Sequence, residues 1–211
     1  MGQWAFRNWT VFRVCCPVFL ALSCTTAQAQ PELREGDLIF QSSRSAQSQA
    51  IQLATHSPYS HMGMIFTRNG APHVFEASAT VRYTPFAEWI ARGEGAHFVI
   101  KRLRDADSQL TAASLKKLRK QAKTLEGKPY DVFFEWSDQR IYCSELVWKI
   151  YWRALGVKIG ELQKIREFDL SSPPVQAKLR ERYGNRIPMD EPVISPAAIF
   201  GSPVLEEIGR Q

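Results

Sequence analysis

Cys143 lies in the run Ile141-Tyr142-Cys143-Ser144-Glu145-Leu146-Val147, and it is the only cysteine beyond the first 29 residues. Apolar residues follow at Leu146, Val147, Ile150, Ala154 and Leu155, with Gly156 next. That spacing predicts an amphipathic helix over 143–155. Cys143 falls on the apolar stripe and would face the protein. A helix start carries free N–H groups and partial positive charge, which favour a nucleophilic thiolate. The same N–H groups could hold the oxyanion formed when sulfur attacks a carbonyl. The chemistry within reach is therefore acyl transfer from an amide or ester. Taken alone, Cys143 is equally compatible with a buried core cysteine.

A thiol nucleophile works with an imidazole base, and four histidines are available. His56 precedes Pro58 in a turn, and His97 opens a strand; both read as ordinary. His61 and His73 sit on a hairpin whose turn contains Asn69-Gly70, a strong two-residue turn signal. With that turn Arg68 pairs with Ala71, Ile65 with Val74, Gly63 with Glu76 and His61 with Ser78. His61 and Glu76 then share a face, diagonal to each other at roughly 7–8 Å between backbones. Gly63 places no side chain between them. Glu76 could hold the imidazole in one tautomer and stabilise its charged form. A longer loop over 68–72 would move Glu76 to the other face, and a His–Glu pair without chemistry is the plainer alternative. His73 points away from both.

The elements that must position these residues follow from periodicity and punctuation. Strands are predicted over Asp37–Gln41 and His97–Leu103, flanking the hairpin His61–Thr67 and His73–Ser78. Helices are predicted over Ser45–Ala54, Phe86–Ala91, Thr111–Leu125 and Pro173–Tyr183 (Ser172 as N-cap), besides the Cys143 helix. The last segment, with Pro188, Pro192, Pro196 and Pro203, reads mostly as surface loop. The fold class is α+β, a small, mostly antiparallel sheet packed against helices.

Residues 1–29 read as a secretory signal: Arg7 and Arg13, an apolar stretch from Val14 to Leu22, then Ala27-Gln28-Ala29 as cleavage site. The stretch is far short of the roughly 20 residues that span a bilayer. Lipid attachment at Cys24 is disfavoured by bulky Leu22 just upstream. The expected mature chain, 30–211, is one domain in the periplasm or cell envelope. A lone thiol there has no disulfide partner, which suggests a core position or a chemical task. The formal charge of +6 drops to +4 without Arg7 and Arg13. Much of it comes from Lys116, Lys117, Arg119, Lys120 and Lys123, the solvated face of a helix, so no nucleic-acid partner is expected. Peripheral association with anionic envelope material is compatible with that charge. The sequence has no G-x-S-x-G, H-E-x-x-H, C-x-x-C or phosphate loop, and neither metal nor cofactor is expected.

Gly36-Asp37-Leu38-Ile39-Phe40, Ser60-His61-Met62-Gly63, Val74-Phe75-Glu76-Ala77, Gly127-Lys128-Pro129-Tyr130-Asp131 and Tyr142-Cys143-Ser144-Glu145-Leu146-Val147 occur in that order. With these motifs the chain resembles the YiiX/YebB-like cysteine hydrolases, circularly permuted members of the NlpC papain-like superfamily. The resemblance implies a permuted papain-like fold, with Cys143 as nucleophile, His61 as base and Glu76 as orienting acid. Tyr142 and Tyr130 fall in matching motifs and are candidates for lining the substrate site. An amide of cell-wall peptide, hence peptidoglycan, is the first substrate expectation. A lipid or thioester acylhydrolase or acyltransferase with the same triad is the alternative, its pocket lined by Phe133, Phe134 and Trp136 if these are not core. A non-catalytic binding module is the third reading. An apolar tunnel beside Cys143 would favour the acyl substrate, and an open polar groove the peptide.

Overall fold

The computed structural model describes residues 1, 2 and 32–211. The expected signal segment, its cleavage site and Cys24 lie outside them. The chain runs β1 (Leu38–Gln41), α1 (Ala46–Thr55), β2 (His61–Arg68), β3 (Ala71–Ala77), β4 (Val81–Pro85) and α2 (Phe86–Ala91). It continues with β5 (Val99–Leu103), α3 (Ala106–Gln109), α4 (Ala112–Leu125), α5 (Cys143–Leu155) and β6 (Gln163–Lys164). Last come α6 (Pro173–Tyr183), β7 (Pro192–Val193), α7 (Pro196–Phe200) and β8 (Leu205–Arg210).

Six strands pair in the order β4-β3-β2-β1-β5-β8, every neighbour antiparallel. The β2–β3 hairpin turns at Asn69 and Gly70, both with positive φ (51° and 75°), the geometry of a two-residue turn that follows the twist of the strands. Arg68 pairs with Ala71 and Ile65 with Val74, the register expected from the sequence. Gly63 and Glu76 therefore share a face.

Two apolar layers sandwich the sheet. On one face Leu38, Phe40, Met62, Met64 and Phe75 meet Leu118 and Ala122 of α4 and Leu146, Val147 and Ile150 of α5. Full burial of each large apolar side chain stabilises by about 1.5–3 kcal/mol, enough to hold α5 against β2 and β3. On the other face Ile39, Ile65, Val74 and Ile100 pack around Trp89 of α2. Cys143 belongs to the first layer, and Glu76 projects into the second. His61, the first residue of β2, stands at the sheet's end, where the two faces meet.

Helices α2, α5 and α6 span the residues expected from the sequence, and α5 ends at Gly156 in the left-handed conformation (φ 71°). Two expectations need correction. The C-terminal segment is not mostly loop: Pro196 opens α7, whose N-cap Ser195 accepts from the Ala198 N–H at 3.0 Å, and β8 adds an edge strand to β5. A proline cluster signals the first turn of a helix as readily as a loop, and β8 is a charged edge strand whose partner lies far off in sequence. Ser172 takes the N-cap position of α6 as expected, although its side chain makes no cap bond. Strand β4, helix α3 and strand β6 are additional elements beyond those expected from the sequence, and Thr84 of β4 matters below.

A β-carbon at Gly63 would collide with Val74 Cγ1 and stand 2.8 Å from the Phe75 carbonyl oxygen. Because the second obstacle is backbone, the strands must part. We expect Gly63→Ala to cost about 1–3 kcal/mol, as overpacking does, read as a lower urea midpoint with unchanged slope.

Candidate active site

Glu76 is fully buried (0% exposed), so its carboxylate survives only with hydrogen bonds on both oxygens. Oε2 lies 2.6 Å from His61 Nε2 and accepts from Trp89 Nε1 at 3.0 Å. Oε1 accepts from Thr84 Oγ1 at 2.6 Å and from the Arg92 guanidinium. Burial alone would raise this carboxyl. The bond from His61 leads the opposing interactions and takes it from 4.5 down to about 2.

The His61 side chain is 13% exposed and lies nearly parallel to Trp89, ring centroids 5.8 Å apart at 24°. Burial alone would depress the imidazole. The hydrogen bond to Cys143, then that to Glu76, outweigh it and raise the group from 6.5 to about 9. Nε2 is committed to Glu76, which leaves Nδ1 as the nitrogen for Cys143. The other histidines are outside this arrangement: His56 faces Asp169, His73 its own loop carbonyl at Ala71, and His97 the carbonyl of Gln211.

Cys143 is buried at the first position of α5. Its chain neighbours clamp that helix start: the Ile194 N–H donates to Tyr142 Oη at 3.0 Å, and Ser144 Oγ donates to the Ile194 carbonyl at 2.7 Å. Within the first turn the Tyr142 N–H donates to Glu145 Oε2 at 3.3 Å. Burial pushes Glu145 up to about 7 against the pull of Lys149, whose Nζ lies 2.7 Å from it.

Cys143 forms part of the wall of a cleft of about 790 Å³, its open mouth included. Helix α1 contributes Ala50, Ile51 and Ala54, helix α6 Val175 and Leu179, and the β6–β7 side Ile165, Val193 and Ile194. Tyr130, Tyr142 and Phe134 also line it. Phe133 and Trp136 do not: Phe133 packs near Tyr183, and Trp136 edge-on to Trp148.

Tyr130 is held from α1. Arg182, which can only donate, donates to Gln47 Oε1 at 2.7 Å, so Gln47 turns its Nε2 to the Tyr130 oxygen at 2.8 Å. Tyr130 thereby accepts, and its own proton is available to a group in the cleft. Burial first, then the charge of Cys143, hold that hydroxyl well above the usual phenol range. Thr84, Trp89, Arg92, Gln47 and Arg182 carry no local signal in the sequence. Thr84 alternates with its strand neighbours like any half-buried residue, and Arg182 looks like one more cation on a solvated helix.

Several comparisons bear on this arrangement. The sequence profile of the permuted papain-like amidase enzymes of the YaeF/YiiX type, the C92 family, matches residues 32–209. The chain is 54% identical over 176 residues to the uncharacterized protein YiiX of Escherichia coli strain K12, covering 83% of this chain and 86% of that one. It also superposes with a TM-score of 0.81 on the crystal structure of YiiX from Escherichia coli O157:H7, described as a metalloprotein, over 86% of this chain and 98% of that one at 54% identity.

The His61–Glu76 pair fixes a pH window for stability. Its Glu76 part is complete above 4.5 and fades as pH falls toward 2, and its His61 part is complete below 6.5 and fades as pH rises through about 9. We expect Glu76→Gln to be less stable than the parent by about 3–5 kcal/mol, the cost of breaking a buried pair. Urea melts at several pH values should show the largest gap between pH 4.5 and 6.5, narrowing on both sides.

Proposed function

Because the chain belongs to the permuted papain-like amidases of the YaeF/YiiX type, the C92 family, we propose that it is an exported cysteine amidase whose substrate carries an apolar acyl chain. One observation carries the acyl part: the wall beside Cys143 is built mainly from aliphatic and aromatic side chains. A methylene chain gains by leaving water for such a surface. The polar backbone of a cell-wall peptide, the first expectation, would lose hydrogen bonds there without replacement. A binding module would have no use for an imidazole held between a buried carboxylate and a buried thiol.

In the proposed reaction the Cys143 proton already rests on His61, whose raised basicity keeps it there, and the thiolate sulfur attacks the amide carbon. The N–H groups at the start of α5, with the Tyr130 hydroxyl, hold the oxyanion. The C–N bond then breaks as the imidazolium hands its proton to the departing amine, leaving a thioester. Water, deprotonated by His61, attacks the thioester, releasing the carboxylic acid and restoring the thiol. Glu76 keeps Nε2 occupied and balances the imidazolium charge. Tyr142 positions the helix start through Ile194 and contributes to the cleft wall.

YiiX of Escherichia coli O157:H7 is described as a metalloprotein. Among the described residues here, no group of three or more His, Cys, Asp or Glu is arranged to hold a metal ion, and each step above is carried by side chains and backbone. No helix among the described residues is long and apolar enough to cross a membrane. The expected signal segment supports placing the mature chain in the periplasm or envelope.

Assays of N-acyl amides should show kcat/KM rising about fourfold per added methylene, at about 0.8 kcal/mol each, until the cleft is full. Muropeptides should be poorer substrates, and the reverse order would remove the acyl reading. Cys143→Ala should abolish turnover, and residual hydrolysis by that variant would rule out the mechanism. His61→Ala should slow both turnover and iodoacetamide labelling of Cys143. Because the departing amine needs the imidazolium proton, kcat/KM should fall as pH rises through about 9.

A further inference from the structure

The lining of the cleft is unbalanced in charge. Lys178 and Arg182 are its charged residues, and neither Asp nor Glu is among the others. Lys178 is paired with Glu181 at 2.6 Å. Arg182 differs: among the described residues its guanidinium meets a neutral amide oxygen, Gln47 Oε1, and the face of Phe134 at 4.6 Å. The ring covers the plane of the guanidinium, and Gln47 takes an N–H of one terminal nitrogen. A guanidinium carries five N–H donors in a planar fork, so most of its edge has no protein acceptor. A cation set in a largely apolar wall with no carboxylate in salt-bridge contact among the described residues, Glu181 acting on it only at longer range, is suited to an anion that arrives with the substrate.

We propose that Arg182 binds an anionic group on the amine side of the scissile amide, which makes the substrate class N-acyl amino acids and their anionic relatives. The inference rests on the apolar-chain reading above. An acyl tail has nothing to offer a guanidinium, so the charge must lie beyond the nitrogen, on the part that leaves. Gln47 joins Arg182 to Tyr130 by two hydrogen bonds, 2.7 and 2.8 Å, and Tyr130 lines the cleft together with Cys143. The cation is thus tied to the hydroxyl assigned above to the oxyanion. Hydrolysis of such a substrate yields a free fatty acid and a free amino acid, with one water consumed.

Three substrates of equal chain length test this: N-dodecanoyl-alanine, its neutral alaninamide analogue, and N-dodecanoyl-phosphoethanolamine. The intact enzyme should prefer an anionic substrate over the neutral one by roughly ten- to a hundredfold in kcat/KM, the scale of a charge-assisted hydrogen-bonded pair. The two anionic arms tell a carboxylate site from a phosphate site. In Arg182→Gln the ratio of anionic to neutral should fall to near one, and Arg182→Lys should keep part of it. A purely structural role for Arg182 would slow all substrates alike and leave the ratio intact, overturning the proposal. Equal turnover of charged and neutral substrates by the parent would overturn it while leaving the amidase reading standing. Failure to hydrolyse any of the three, with Cys143 still labelled by iodoacetamide, would remove both.

Discussion

Everything at this site depends on keeping one carboxylate ionised where water cannot reach it. Glu76 is fully buried, and an unpaired charge there would cost several kcal/mol. The fold answers with donors from three elements: β2 supplies His61, β4 supplies Thr84, and α2 with the residue after it supplies Trp89 and Arg92. With both oxygens occupied on two sides, the carboxylate cannot turn. The imidazole it holds inherits that rigidity, and Trp89 serves twice, as a donor to Glu76 and as the surface beside the His61 ring. Pre-organisation of this kind is what lets a base act without first being ordered.

The constraint also explains where the proposed catalytic groups sit. Glu76 and Cys143 belong to apolar layers on opposite faces of the sheet. Groups in the middle of such a sheet could not meet. They meet because His61 is the first residue of its strand, where the faces are no longer separated by backbone. Gly63, two residues on, is the second condition, since any side chain there would press on the hairpin partner that carries Glu76.

Much of this was legible in the sequence, because the determining interactions were local. Asn69-Gly70 fixes the register of β2 against β3, and register fixes which face Glu76 occupies. The stripe Leu146, Val147, Ile150 fixes the orientation of α5 and with it that of Cys143. What escaped were contacts made across long stretches of chain. Strand β8 pairs with β5 about a hundred residues away, and no alternation within six charged-edge residues announces that partner. Thr84, Trp89 and Arg92 gain their meaning from a carboxylate they approach only after the sheet has formed. The cleft is the same case: α1 and α6, whose side chains line it, are far apart in sequence, and each alone reads as an ordinary surface helix. Of the three aromatics expected there, Phe134 lines the wall while Phe133 and Trp136 went to packing.

The reversed order of histidine strand and cysteine helix, relative to papain-like enzymes, costs the site nothing for a physical reason. No chain connection passes through it. α5 is held against β2 and β3 by apolar packing, its first turn by Ile194 and Glu145, and His61 by Glu76 and Trp89. Each of these contacts is indifferent to which partner comes first along the chain. Order does decide which segments wrap the rest of the cleft. Here the segment after α5 supplies α6 and the β6–β7 ribbon, so the wall that meets a substrate is built from the part of the chain that the triad does not constrain. That division leaves the wall free to change while the reaction stays the same, and it is why the proposed nucleophile rests on a motif while the proposed substrate rests on the shape and charge of the wall.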